Sequence, residues 1–325
     1  MNKYKLPTKA TRLPMALQFF AGTGNQNKAA ASYELQFKKF IQAVFLKQGY
    51  FQDFFVGGIE ALDGVQNNET AFYVKTSDIP VVVGSEYDKG ENTAFGSGTA
   101  NTSRFGERTE VVYKDTPVRY TWEWVFHEGI DKHTVNNNLL SAVADRLDLQ
   151  ARAKIKTFNK NHSAFISKIA GKTESLADYK PESVLKLFNN LSKHYVNIEA
   201  VGVKVAKVNA ELYNAIVDHP LTTSAKQSSA NIDGNSVLRF KDFVIEQIPD
   251  ALLQDGDVAY TYITGIAKAF TGINTARTIE SEDFDGMALQ GAGKAGEFIL
   301  DDNKKAVAKV TLSTTGEDPD NIPEG

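Results

Sequence analysis

The sequence predicts an α+β fold, and three observations carry that expectation. An apolar stripe at helical spacing runs through residues 135–170, a twenty-residue β pattern occupies 107–126, and the second half alternates short helices with short strands. Between strand-like segments lies "GENTAFGSGTANTSRFG" (90–106), a polar tip with four glycines among seventeen residues. Loops of that length are uncommon in a compact domain unless they are functional.

The elements follow in order. Residues 1–32 carry Lys3, Lys5, Lys9, Arg12 and Lys28 and no acid, and the Gly22–Gly24 and Asn25–Asn27 region has nothing to pack, so this stretch reads as a basic arm. Its start resembles a signal peptide, but Pro14 and Gln18 interrupt the short apolar run, so no cleaved leader is expected. Ser32 is the expected N-cap of a first helix, with Tyr33, Phe37, Phe40, Ile41, Val44 and Phe45 as its stripe and Gly49 as its end. "AFYV" (71–74) and "IPVVVG" (79–84) read as strands, Pro80 favouring an edge. In 107–126, Val118, Tyr120, Trp122, Trp124 and Phe126 share one face, and both tryptophans of the chain mark a real core.

The long helix 135–170 places Leu139, Val143, Leu147, Ala151, Ile155, Phe158, His162, Phe165 and Ile169 at steps of three and four, with Gly171 as its stop. At ~1.5 Å per residue it spans roughly 50 Å, a beam rather than an ordinary globular helix. Pro181 opens a helix through Leu185, Phe188 and Leu191; "AVGVKVA" (200–206) is a strand; Asn209 caps a helix ending at 218–220. Residues 222–236 read as a polar loop, 241–248 and 257–265 as strands, and 296–312 as a hairpin turning at Asp302–Asn303. The tail 313–325 is acidic and proline-containing and is expected to be flexible.

Composition removes several function classes. The 325 residues are 42% hydrophobic and 23% charged, as in folded globular proteins, and the net charge of −4 does not suit a chain built to coat nucleic acid. The absence of cysteine removes disulfides, thiolate metal sites and cysteine nucleophiles, and fits folding in a reducing cytoplasm. No apolar run approaches the length of a membrane span, so no membrane partner is expected. "GAGKAG" (291–296) matches a dinucleotide fingerprint by letters only; a strand follows where a helix is required, and the segment reads as a flexible turn. "AGKT" (170–173) lacks the earlier glycine of a phosphate loop. The five histidines form no zinc pattern; His162 reads as a core histidine and His133 as a helper at the start of the long helix. "SEDFDG" (281–286) reads as a solvated turn, and Ser97 lacks a nucleophile-elbow setting. The expectation is no catalytic residue, no cofactor, no metal site and no enzyme activity.

A basic unpacked arm, a short aromatic helix, a two-stranded excursion with a polar tip, one very long helix and an α/β second half occur in that order. This order resembles the major capsid proteins of tailed bacteriophages with the Hong Kong 97-like fold, and "LQFFA" (17–21) is similar to a start common in such phage proteins. The resemblance implies an N-terminal arm (1–32), an extended β-hairpin loop (77–118) and an axial domain (181–264). It implies a peripheral domain built from 33–76, 119–180 with its spine helix, and 265–312. The loop would lie over a neighbouring subunit; from Ile79 to Gly90 each arm reaches roughly 36 Å, too long to find a core at home.

The implied partners are the chain itself in hexamers and pentamers, a separate scaffolding protein, a portal protein and packaged double-stranded DNA bound without sequence specificity. The implied location is the virion, assembled in the host cytoplasm. Leu17, Phe19, Phe20, Phe95, Arg104 and Phe105 are the candidate subunit contacts, being the anchors available in the arm and at the tip. Some members of the family cross-link lysine to asparagine; Lys89 and Lys114 lie in the loop, but no driving glutamate is identifiable, and no cross-link is expected. The competing readings are an encapsulin-like compartment shell and a monomeric α/β enzyme with 90–106 as a lid.

Overall fold

The computed structural model describes residues 31–62, 69–77, 87, 105, 109–135, 138–223, 230–231, 236–237 and 239–313. The arm, the strand expected at 79–84, nearly all of the polar tip and the tail from 314 lie outside them, as does most of the polar loop at 222–236. The chain begins with β1 (Ala31–Ser32), α1 (Glu34–Gln48), β2 (Phe55–Leu62), β3 (Thr70–Ser77) and β4 (Tyr113–Arg119). Next come β5 (Trp122–Asp131), α2 (Leu139–Ile169), β6 (Lys172–Leu176), α3 (Pro181–Asn197), β7 (Lys204–Val208), α4 (Ala210–Val217) and α5 (Pro220–Thr223). The last part holds β8 (Ala230–Asn231), β9 (Ser236–Val237), β10 (Arg239–Phe240), β11 (Phe243–Gln247), β12 (Asp257–Ile263), β13 (Ala267–Glu280), β14 (Gly286–Ile299) and β15 (Val307–Leu312). Two compact units emerge: residues 66–121 form one, and 1–65 with 122–325 form the other.

Among the described residues the larger unit holds two large sheets, a two-stranded ribbon of β8 and β9, and two hydrophobic cores. In the first sheet β13 and β14 form a long antiparallel hairpin, with β5 beyond β14 and both β1 and β2 on β13. α1 and α2 pack on it, burying Phe37, Ile41 and Phe45 of α1 against Val143, Leu147, Ile155 and Phe158 of α2. Of the expected stripe of α2, Val143, Leu147, Ala151, Ile155, Phe158 and His162 are buried and Leu139, Phe165 and Ile169 are partly buried, while Asn159, Ser163, Ile166 and Ser167 are buried too. The second sheet runs β10-β11-β7-β12-β15-β6. α3 supplies Val184, Leu187, Phe188, Leu191 and Tyr195 to its core, and α4 supplies Leu212 and Ile216.

Several expectations are corrected by pairing. Ser32 does not cap α1: its backbone pairs with Arg277 of β13, so the helix starts one residue later, after Tyr33, with no side-chain cap. His133 does not start α2; it sits in an exposed turn, and Asn138 accepts from the backbone N–H groups of Leu140 and Ser141 at the helix start. The pattern at 107–126 is two strands, β4 and β5, divided at 120–121 and falling in different units. The strand at 200–206 begins only at Lys204, because Gly202 sits at φ +137 in a loop.

The 296–312 segment is not a hairpin. β14 stays beside β13 and β5, a 3₁₀ turn at 301–306 redirects the chain, and β15 joins the other sheet between β12 and β6. Nor is "GAGKAG" a flexible turn; it lies in the middle of β14, paired on both sides. Its glycines make room for aromatic rings: a Cβ on Gly291 would stand 2.2 Å from the Phe126 ring, and one on Gly293 2.3 Å from the Trp124 ring and 2.5 Å from the Gly272 carbonyl.

Candidate functional site

Within unit 66–121, β3 and β4 pair antiparallel, with Tyr73 opposite Pro117, Lys75 opposite Asp115 and Ser77 opposite Tyr113. Paired residues share a face, so Tyr73, Lys75, Ser77, Tyr113, Asp115 and Pro117 stand on one side of the ribbon. That side is exposed: Tyr73 is 65% and Tyr113 68% accessible, and along β4 only Val118 is buried. The ribbon is held by backbone pairing, by the 3.0 Å contact between the Thr76 and Thr116 hydroxyls and by the 2.9 Å bond from Tyr120 N–H to the Glu69 carbonyl. A two-stranded ribbon of this kind is marginal by itself in water.

Of the expected contact residues, Phe105 is described. It is 81% exposed and meets the Tyr87 ring edge-on, centroids 5.2 Å apart. Leu17, Phe19, Phe20, Phe95 and Arg104 lie outside the described residues. Sequence reasoning missed Tyr73, Tyr87 and Tyr113. For Tyr73 and Tyr113 a signal was available in "AFYV" and "VVYKD": a tyrosine on a strand with a charged residue, not an apolar one, two places on.

The larger unit buries polar groups, and the charged ones at Lys207 and Asp257 are held in networks, whereas the Tyr33 hydroxyl and both His162 ring nitrogens are buried without a hydrogen bond. Lys207 is 2% exposed and is held between Asp53, 3.1 Å away, and Glu246, while Tyr262 donates to Asp53 at 3.1 Å. Burial raises the Tyr262 pKa well above the ordinary phenol, with the Asp53 charge adding to it. Asp257 accepts from the hydroxyls of Ser167 at 2.6 Å and Tyr260 at 2.9 Å, and burial pushes Tyr260 up to about 12. Such networks satisfy buried charge rather than activate a nucleophile.

His162 is fully buried among the rings of Phe45, Phe55 and Phe158, as a core histidine should be. Neither ring nitrogen has a hydrogen bond. The Glu297 carboxylate lies 3.6 Å from Nε2, which favours a proton on the ring, but burial prevails and pushes the pKa down to about 3. Among the described residues no three His, Cys, Asp or Glu side chains converge as metal ligands. No helix of the described residues is long and apolar enough to cross a membrane.

No family model matches this sequence, and no curated protein sequence matches it. Solved structures do match. The capsid of the cyanophage P-SCSP1u superposes with a TM-score of 0.58 at 10% identity, over 93% of this chain and 94% of that one. The mature capsid of bacteriophage PhiM1 gives 0.55 at 10% identity over 93% of each chain. This chain has the tailed-phage capsid fold. Mycobacterium phage Che8 gives 0.51 at 11% identity over 93% of this chain and 98% of that one, so the fold spans nearly the whole of each. The Hong Kong 97-like expectation, drawn from element order, holds for the fold. In this capsid fold α2 is the long helix beside the β13–β14 sheet, and residues 66–121 are the excursion between β2 and β5.

Proposed function

We propose that this chain is the major shell subunit of a tailed-phage head, assembling into hexamers and pentamers around double-stranded DNA. The observation that carries the reading is the β3–β4 ribbon, whose Tyr73–Tyr113 side is exposed although a ribbon this small needs a further surface to be stable. A neighbouring copy supplies that surface, with the 90–106 tip adapting to flat and curved contacts. The capsid fold supports the same reading.

On this reading residues 77–118 are the intersubunit loop and 1–32 an arm lying along the shell, anchored by Leu17, Phe19 and Phe20. The axial domain, 181–264 from sequence, is completed by β6 and β15, which share its sheet. A separate scaffolding protein and a portal protein are the assembly partners, the virion is the location, and the role is structural rather than enzymatic.

The test is assembly of the purified full chain, with co-expressed scaffold, followed by size-exclusion chromatography and negative-stain microscopy. Closed shells or capsomers are expected. A chain that stays monomeric in every condition overturns the reading. Deleting residues 90–106 is expected to leave a folded subunit that forms no closed shells; normal shells from it would remove the loop from the account.

A further inference from the structure

From residue 149 to 173 the chain holds Arg152, Lys154, Lys156, Lys160, Lys168 and Lys172 and not one acid, within a protein of net charge −4. The structure puts the first five from the middle of α2 to its last turn and Lys172 on β6. Lys154 is turned inward, donating to the Val125 carbonyl at 2.8 Å. Arg152 is paired along the helix with Asp148, and Lys172 with Glu174. Lys156, Lys160 and Lys168 are exposed and have no ion-pair or hydrogen-bond partner among the described residues. At 100° per residue they fall within about 120° of each other, so they share one side of the helix over about 18 Å.

Helix electrostatics explain Lys168 alone. It stands in the last turn, where the negative end of the dipole favours a cation. Lys156 and Lys160 lie two or more turns back, beyond that effect. Lys160 and Lys168 border an open recess of about 700 Å³ whose lining also includes Lys309, Ser167, Asp255 and Asp257. Asp257 is already engaged by Ser167, Tyr260 and, at 3.9 Å, Lys309, so it does not neutralise the helix lysines.

We propose that this lysine face of α2 is a phosphate-contacting surface for duplex DNA. The proposal rests on the shell reading above and names a DNA-facing surface within the folded body, distinct from the basic arm. Three features select the partner. Cations at regular spacing on a rigid helix suit a repeating polyanion. Single strands are held by stacking on aromatic platforms, and the exposed residues of this half-helix include no aromatic: Arg152, Ala153, Lys156, Thr157, Lys160 and Lys168. A protein partner would bury apolar anchors at the centre of its interface, and from Lys156 to Lys168 no exposed residue is apolar, the half-exposed Leu149 standing about two turns before Lys156. Contact made through phosphates alone is blind to sequence.

The experiment measures binding of a 30-base-pair duplex to unassembled full-length subunits by fluorescence anisotropy across salt concentrations. Wild type is compared with Lys156→Gln/Lys160→Gln/Lys168→Gln, with the same three positions changed to Arg, and with Lys186→Gln/Lys193→Gln on α3 as a control that removes two exposed lysines elsewhere on the body. The arm is present in all four, so its contribution is common. Each phosphate left without its lysine lowers the magnitude of the log–log salt slope by about 0.9, so the slope of the triple Gln variant should be shallower by about two to three, with binding at least about tenfold weaker. The Arg variant and the α3 control should keep the wild-type slope. An unchanged slope in the triple Gln variant overturns the proposal, as does an equal decrease in the control. So does a face that binds polyglutamate but not the duplex, which would assign it to an acidic protein. Microscopy of the same variants separates the two readings: normal shells with an unchanged slope remove only the DNA surface, whereas subunits that never assemble remove the shell.

Discussion

The body and the excursion of this chain solve opposite problems. The body buries Phe37, Phe45, Phe51, Phe54, Leu147 and Phe158 at 1% exposure or less and threads ion networks between its elements. The ribbon of β3 and β4 buries Val118 and leaves Tyr73, Tyr113 and nearby Phe105 in solvent. A core of that size repays the conformational entropy of its own ordering, whereas a ribbon with one buried aliphatic side chain does not. The contrast teaches that stability and assembly are encoded in different residues here, and substitutions should separate them.

The largest effect is expected in the spine. Leu147→Asp places an unpaired carboxylate where exposure is zero, at a cost on the order of 4 kcal/mol, and soluble protein should be lost. A soluble, assembling Leu147→Asp subunit would break the comparison at once. Gly293→Ala should cost about 1–3 kcal/mol, because the added methyl meets the Trp124 ring, which is packed against Phe37, and the Gly272 carbonyl. Urea unfolding of the unassembled variant measures it; a neutral result would mean that the hairpin β13–β14 shifts freely.

Acid should act on the body through His162. Its folded pKa, about 3, lies below the ordinary 6.5, so the unfolded chain takes the proton first. The stability that the neutral ring provides is complete above about pH 6.5 and is lost as pH falls toward 3, at ~1.4 kcal/mol per pH unit. Between pH 7 and pH 5 wild type should lose about 2 kcal/mol that His162→Leu does not lose. Parallel pH profiles would show that Glu297 offsets the burial penalty on the ring, and a wild type that gains stability relative to His162→Leu as pH falls would show that Glu297 holds the ring charged.

The smallest effect on stability belongs to the excursion. Tyr73→Ser with Tyr113→Ser should change unfolding free energy by less than about 0.5 kcal/mol, as surface substitutions do, while lowering shell yield severalfold. Equal losses in both measurements would show that the ribbon is part of the body's core after all.

Much of the fold was legible. The stripe of α2, the Asn209 cap and the Pro181 start are local signals, and local signals survive in sequence: Asn209 does accept from Leu212 N–H at 2.8 Å, and Pro181 does open α3. What was illegible depends on distant partners. β14 carries Gly291, Gly293 and Gly296, which suppress strand propensity, and only the rings of Phe126 and Trp124 across the sheet explain the first two. Ser32 has the chemistry of a cap, but a strand more than two hundred residues away claims its backbone. Asp301–Ala306 has the letters of a turn, yet the turn passes the chain from one sheet to the other, a choice no short-range rule contains. For the candidate site, the tip was visible as an anomaly of composition, while the alternation around Tyr73 and Tyr113 marked a strand whose outward face became a candidate contact once their exposure was known.

Both tryptophans of the chain stand on β5, Trp122 donating to Glu297 and Trp124 to the Thr271 hydroxyl. Tryptophan emission from this protein, excited apart from its tyrosines, therefore comes from one strand inside the body. A fluorescence trace would follow melting of the β13–β14 sheet faithfully and stay silent while the excursion changes its surroundings. Watching subunits come together optically requires a dye placed on purpose, and the chain, having no native cysteine, accepts a single one at Ser77 on the exposed side of the ribbon without competing thiols.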